Sequence, residues 1–183
     1  MKNHGWKFIV NVPPMEKCVI CVAPHTSNWD FIMGELAIRS VGMKAGFLMK
    51  DTWFFFPLKY FLKAIGGVPV SRERRTNVTG GVIDSFKKNK NLAVAVTPEG
   101  TRSFNPHWHS GFLYIAQEAQ VPIVLAYFNY DKKVACLDRI FEPSGNMEDD
   151  MIAIKKYYQT CDACGKYPEK FTIGLDKNQE TVK

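Results

Sequence analysis

The sequence predicts an α/β protein, a single domain with a mixed, largely parallel central sheet flanked by helices. Three observations lead there. Short β-rich runs alternate with helical stripes along the whole chain. Leu92–Val96 is an uninterrupted apolar run, the pattern of a strand buried on both faces. The 183 residues, 46% hydrophobic and 23% charged, have the size and balance of one ordinary domain, here 1–183. Disordered, collagen-like and low-complexity classes are excluded.

Taken in order, Lys7–Asn11 and Lys17–Ala23 read as strands separated by a turn at Pro13-Pro14. Over Asn28–Val41 the apolar residues Trp29, Ile32, Met33, Leu36, Ala37 and Val41 fall at helical spacing, and Gly42 stops the stripe. Gly46–Met49 fits a short strand. Asp51–Ile65 is aromatic and basic, helical in part, and broken by Pro57. Val68–Ser71 is a short strand after Gly66-Gly67. A second helix runs from about Asn77 to Lys88, with Val78, Val82 and Phe86 on one face. After Leu92–Val96, the residues Phe112, Ile115, Ala116 and Ala119 mark a third helix. The strand Ile123–Tyr130 follows, and Lys133–Leu137 pairs beside it. The last helix covers about Asn146–Tyr158, with Asp149 and Asp150 in its first turn and Lys155 and Lys156 near its end, as the helix dipole favours.

Charge is distributed unevenly. The chain carries 24 Lys and Arg against 18 Asp and Glu, a net of +6. Residues 39–90 hold 11 basic and 3 acidic residues, so this stretch alone carries +8 and the remainder −2. Such a concentration suits an anionic partner, although a merely solvated basic face has the same composition. No run reaches the roughly 18 apolar residues of a membrane-spanning helix, and no basic-apolar-small leader opens the chain. The expected setting is therefore intracellular, soluble or at a membrane surface. Five cysteines without an export signal are expected to be reduced thiols. Two C-x-x-C spacings, Cys18/Cys21 and Cys161/Cys164, suggest zinc, but the first lies in a strand, where residues three apart point to opposite faces and cannot share one ion. The second has no companion pair nearby. No metal is expected.

Ligands of such sheets bind at strand ends, and three polar clusters fall there. Pro24-His25-Thr26-Ser27-Asn28-Trp29-Asp30 joins the second strand to the first helix. His25 leaves the strand and Asp30 sits in the helix's first turn, so the two can meet. The carboxylate would then fix the imidazole tautomer and leave the other nitrogen as a general base. A helix-capping aspartate beside a hydrogen-bonded histidine has the same spacing. Thr97-Pro98-Glu99-Gly100-Thr101-Arg102-Ser103 follows the buried strand. Gly100 permits a tight turn. The Thr101 and Ser103 hydroxyls, backbone amides and the Arg102 fork are a donor set for phosphate. Glu99 fits a partner arginine or a substrate hydroxyl, and the whole cluster also fits a polar turn with an incidental ion pair. The Gly-x4-Gly-Lys spacing of a nucleotide P-loop is absent. Gly66-Gly67-Val68-Pro69-Val70-Ser71-Arg72 delivers Arg72, then Arg74 and Arg75, as further phosphate contacts or as a solvated loop.

In order and spacing, His-x4-Asp, Gly-Val-Pro-Val-Ser-Arg, Pro-Glu-Gly-Thr-Arg-Ser and Val121-Pro122-Ile123-Val124 resemble the four blocks of the glycerolipid acyltransferases, whose best-known members are 1-acylglycerol-3-phosphate acyltransferases. The blocks span Pro24 to Val124. The resemblance implies that His25 deprotonates an acceptor hydroxyl, which attacks the thioester of acyl-CoA or acyl carrier protein, while Asp30 orients His25. It implies acceptor binding by Glu99, Gly100, Thr101 and Arg102, a glycerol-phosphate contact from Arg72, and a mainly apolar block near the acyl chain at Val121–Val124. Two positions depart from the family's usual pattern: Thr97 stands where Phe is common, and Ser110 where a lysine often precedes the next helix's glycine.

The expected partners are thus acyl-CoA or acyl carrier protein, a lysolipid acceptor and a membrane surface at the inner face of the cell membrane. No cofactor is expected, since the thioester supplies the leaving group. The aromatic and lysine-rich stretch Phe47–Lys63 fits headgroup contact and fits core packing equally. Nucleic acid is not expected, because no recognised binding module accompanies the basic stretch. The alternative acceptor is a lyso-aminolipid, and the alternative class is a non-catalytic lipid-binding protein on the same fold.

Overall fold

The computed structural model describes residues 5–40, 45–50, 52, 54–60, 67–70 and 75–175. Among them are the strands β1 (Lys7–Val10), β2 (Lys17–Val22), β3 (Ala45–Lys50), β4 (Gly67–Val70), β5 (Leu92–Val96), β6 (Ile123–Asn129) and β7 (Val134–Phe141). The principal helices are α1 (Trp29–Ser40), α2 (Arg75–Lys88), α3 (Gly111–Ala119) and α4 (Met147–Thr160). One seven-stranded sheet runs in the order β1-β7-β6-β2-β5-β3-β4. Every neighbouring pair is parallel except β6 and β7, so the sheet is mixed and mostly parallel, as expected.

The apolar runs take the middle of the sheet because only there are both faces covered. On one face Val19, Cys21, Val94, Ile123 and Leu125 pack with Val82 and Phe86 of α2, Phe112 and Ile115 of α3, and Ile154 of α4. On the other, their alternates Cys18, Ile20, Ala93, Val124 and Ala126 pack with Ile38 of α1. Cys18 and Cys21 therefore lie on opposite faces. Burial pushes the Cys18 thiol up to about 12 and raises Cys21 as well, which makes both inert core residues. The carboxyl ends of β2, β3, β4, β5 and β6 all reach one edge of the sheet, where the loops into α1 and α3 gather.

Three features of the fold differ from or add to the expectations. Strands β1 and β2, consecutive along the chain, are not neighbours in the sheet: β1 pairs in parallel with β7 at the far edge, Lys7 facing Val134. Only one of its four residues is half-buried and three are exposed, so it has no apolar claim on a central position. The strand begun at Lys133 extends to Phe141 and is antiparallel to β6, with a register shift at Leu125/Ala126. Helix α4 continues to Thr160, which leaves its last turn without a basic residue. At its other end Asn146 Oδ1 accepts from the Glu148 amide at 3.1 Å, and the buried Asp150 carboxylate accepts from the Ser144 amide at 3.1 and 3.0 Å. The helix start is thus capped by Asn146, and Asp150 ties down the chain that enters it, in addition to any dipole effect. The helix expected within 51–65 appears as one turn at 58–60, and the rest of it lies largely outside the described residues. No helix among the described residues is long and apolar enough to cross a membrane.

Candidate active site

Adjacent strands β2 and β5 run in parallel with Cys21 opposite Val96, so the residues that follow them emerge side by side. From β2 the chain turns through Pro24–Asn28 into α1. Asp30, only 4% exposed, reaches back over that turn. Its Oδ2 accepts from the Thr26 and Ser27 amides, each at 2.8 Å, and lies 3.1 Å from His25 Nδ1. Its Oδ1 accepts from the Tyr130 hydroxyl at 2.5 Å. Burial alone would raise the Asp30 carboxyl, but the hydrogen bonds from His25, Tyr130 and Ser27 outweigh it, and the group sits below its ordinary value. An ionised carboxylate only accepts, so His25 Nδ1 is the donor of this hydrogen bond, and in the neutral imidazole Nε2 presents its lone pair. The His25 side chain is 20% exposed, so the pair is not sealed in the core.

Glu99 stands at the end of β5, 4% exposed. One oxygen, Oε1, accepts from the His25 backbone amide at 2.8 Å. The other, Oε2, is buried with no hydrogen-bond partner among the described residues. Burial pushes this carboxyl up to about 7, and the hydrogen bond from the His25 amide offsets only part of the rise. Of the two partners the sequence suggested, an arginine or a substrate hydroxyl, the first is replaced among the described residues by the His25 backbone amide.

The turn beyond Glu99 is held from inside. Gly100 has φ +66°, and a Cβ there would lie 2.5 Å from His109 Cδ2. The Asn105 amide donates to the Glu99 and His107 carbonyls at 2.8 and 3.0 Å, and the His109 amide donates to the Pro98 carbonyl at 2.8 Å. Thr101 Oγ1 accepts from the Ser103 amide at 3.3 Å, and Arg102 is exposed. Gly100 and Thr101 therefore shape the loop that fixes Glu99, and Arg102 faces solvent beside it. The structure brings together His25, Asp30 and Glu99. Arg72 lies outside the described residues, two positions past the end of β4.

Two further contributors had no signal in the local sequence pattern. Tyr130 follows β6, and since Val22 faces Ala126 it comes level with Thr26, four residues beyond each partner. Burial, and then the Asp30 carboxylate, raise its phenol further above the ordinary value, so the hydroxyl stays a donor. Reading strand ends across the sheet would have singled it out. The loop after α4 also closes on the turn: a Cβ on Gly165 would lie 2.9 Å from both Thr26 Cγ2 and Oγ1, and the Tyr167 amide donates to Thr26 Oγ1 at 3.2 Å. This loop contains Cys161 and Cys164. The Cys164 amide donates to the Phe128 carbonyl at 2.8 Å and its carbonyl accepts from the Tyr130 amide at 3.0 Å, so the second C-x-x-C belongs to a backbone lock on β6. Among the described residues no three His, Cys, Asp or Glu side chains gather as metal ligands.

His25, partly exposed and hydrogen-bonded to a saturated carboxylate at a strand-to-helix turn, has the arrangement that general-base chemistry can use. The acyltransferase family model matches residues 8–128, two thirds of the chain with His25, Asp30 and Glu99 among them, and the chain belongs to that family. Its fold is similar to that of the 1-acyl-sn-glycerophosphate (LPA) acyltransferase PlsC from Thermotoga maritima, with a TM-score of 0.56 and 19% identity over 86% of this chain and 74% of that one. No curated protein matches the chain.

Proposed function

We propose that this acyltransferase moves a fatty acyl group from acyl-CoA or acyl carrier protein to the hydroxyl of a lysophospholipid of the 1-acylglycerol-3-phosphate kind, with His25 as general base. The observation that carries the reading is the His25–Asp30 pair, in which the carboxylate holds Nδ1 and Nε2 is the nitrogen left for a base on a partly exposed side chain. As the acceptor hydroxyl approaches, Nε2 takes its proton and the oxygen attacks the thioester carbonyl. The tetrahedral intermediate collapses with loss of the thiolate, which recovers a proton from the imidazolium. Asp30 stabilises that imidazolium while it exists. The thioester provides the leaving group, so the step needs no cofactor.

Glu99 Oε2 supplies the second polar contact. Half-ionised near neutrality, it can hydrogen-bond an acceptor hydroxyl either as donor or as acceptor. Arg102 and Arg72 are the bidentate partners in this reading for an acceptor phosphate. The site would work at the inner face of the cell membrane, where such acceptors reside.

The test is release of free thiol from long-chain acyl-CoA and acyl carrier protein across a panel of lysolipids. Turnover is expected with a phosphate-bearing acceptor and should fall by ~10²–10⁴ in His25→Ala. A preference for lyso-aminolipids would move the acceptor assignment. Unchanged turnover in His25→Ala would remove the base.

A further inference from the structure

Four donors hold the Asp30 carboxylate, and two of them sit on residues that a single distant loop secures. The loop is 162–167, which follows α4 and lies beyond residue 128, where the family match ends. It is tied first to the end of β6. The Asp162 carbonyl accepts from Asn129 Nδ2 at 2.7 Å, the Cys164 amide donates to the Phe128 carbonyl at 2.8 Å, and the Cys164 carbonyl accepts from the Tyr130 amide at 3.0 Å. Asn129 is itself buried, and its Oδ1 accepts from the Lys132 amide at 2.8 Å, so its side chain cannot swing away without losing both bonds.

The loop then crosses to the turn between β2 and α1. The Tyr167 amide donates to Thr26 Oγ1 at 3.2 Å, 141 residues away along the chain. Gly165 lies so close over the Thr26 side chain that a Cβ would stand 2.9 Å from both Cγ2 and Oγ1, and 3.3 Å from Pro24 Cβ. Its φ is outside the left-handed region, so contact with Thr26, not backbone conformation, is what excludes a side chain here. Thr26 is 3% exposed and has little room to yield.

The two anchored residues grip opposite oxygens of one carboxylate. The Thr26 amide donates to Asp30 Oδ2 at 2.8 Å, and the Tyr130 hydroxyl donates to Oδ1. Loop peptide units are the most mobile part of a backbone, and a rotation at this one would carry the Thr26 amide off Oδ2. The loop removes that freedom at Thr26 and holds Tyr130 by its backbone, so the carboxylate is set from both sides. Oδ2 is also the oxygen that meets His25 Nδ1.

We propose that the loop 162–167 is a clamp, and that Thr26 and Gly165 are the positioning residues through which it aligns Asp30 with His25. Its effect on the reaction rests on the reading above that His25 is the base.

The test combines hydrogen exchange with steady-state kinetics on the full chain. Gly165→Ala should speed exchange of the Thr26 and Ser27 amides by about tenfold or more. It should lower kcat by about tenfold to a hundredfold, with little change in the Michaelis constant of the acceptor. Thr26→Ser keeps the acceptor for the Tyr167 amide and should stay near the wild type in both measurements. Adding Thr26→Ala to Gly165→Ala makes room for the new methyl, so the double variant should exchange more slowly and turn over faster than Gly165→Ala alone. Wild-type exchange at those two amides in Gly165→Ala would overturn the clamp, whatever the turnover. Exchange that speeds equally in β2 and β5, or a double variant no better than Gly165→Ala, would make the contact a matter of general stability and also overturn it. Loosened turn amides with turnover unchanged would refute His25 as the base and leave the clamp standing.

Discussion

Two buried carboxyls lie at one edge of the sheet, Asp30 in the first turn of α1 and Glu99 after β5, each 4% exposed, and their environments drive them in opposite directions. Asp30 receives four donors, two of them backbone amides, and sits below its ordinary value. Glu99 receives one at Oε1, none among the described residues at Oε2, and is pushed up to about 7. Burial is the largest influence on both, so burial does not decide the protonation state. The number of donors decides it. The consequence is a division of labour: a permanent anion to hold His25, and beside it a carboxyl able to exchange a proton near neutrality.

The largest effect should come from breaking the saturated side. Asp30→Asn keeps the shape but replaces an acceptor that holds four donors with an amide that cannot accept from all of them. Turnover is expected to fall by ~10²–10⁴, and stability by about 2–4 kcal/mol as buried donors lose their partner. Steady-state kinetics and urea denaturation measure the two losses. Wild-type stability or turnover in this variant would refute the account of Asp30.

Glu99→Gln probes the unsaturated side. The folded Glu99 titrates near 7 and the unfolded near 4.5, so between those values the folded state binds the extra proton. Its contribution is fully present below about pH 4.5 and is lost as pH rises to 7, a change of up to about 3 kcal/mol. Asp30 has the opposite sign: its folded value is depressed, so its contribution holds above its ordinary value of 3.8 and is lost as pH falls through the folded value. Glutamine can accept from the His25 amide without ionising. The variant should therefore gain on the wild type between pH 5 and 8 in denaturation experiments. A parallel pH dependence for the two proteins would mean that Glu99 is ionised throughout and that its second oxygen has a partner.

How far the sequence reveals all this depends on the distance along the chain between interacting groups. His25 and Asp30 are five residues apart across one turn, and their meeting follows from strand, turn and helix geometry. The central strands were equally plain, since Leu92–Val96 and Ile123–Asn129 are apolar on both faces. The position of β1 was not: strand order along the chain does not say which neighbour a strand joins, and the mostly exposed Lys7–Val10 yields the middle of the sheet to more apolar strands. Glu99 was singled out, but its partner was not, because every residue except proline offers a backbone amide and composition cannot rank them. Tyr130 is 100 residues from Asp30 and needs the β2–β6 register before it becomes visible.

Tyr130 also offers the smallest and sharpest test of the comparison. Its hydroxyl touches Asp30, which in turn holds His25, so under the proposed function it is a positioning residue that would act only through His25. Its ring packs edge-on against Trp6 with centroids 4.9 Å apart, so Tyr130→Phe keeps the packing and removes one donor. A hydrogen bond to a charged group contributes about 1.5–3 kcal/mol, and the three donors that remain on Oδ2 should hold the effect near the lower end, about a tenfold loss of turnover. A merely structural loss would lower turnover equally at every pH. Here the loss has a direction, because Asp30 stripped of a donor moves part of the way toward Glu99 and its carboxyl rises. The acid limb of the pH–rate profile should then shift to higher pH in Tyr130→Phe, while the Michaelis constant for the acceptor changes little. A uniform loss with the limb unmoved would show that the two Oδ2 amides and His25 suffice to keep Asp30 ionised, and that the tyrosine serves the packing around Trp6 instead.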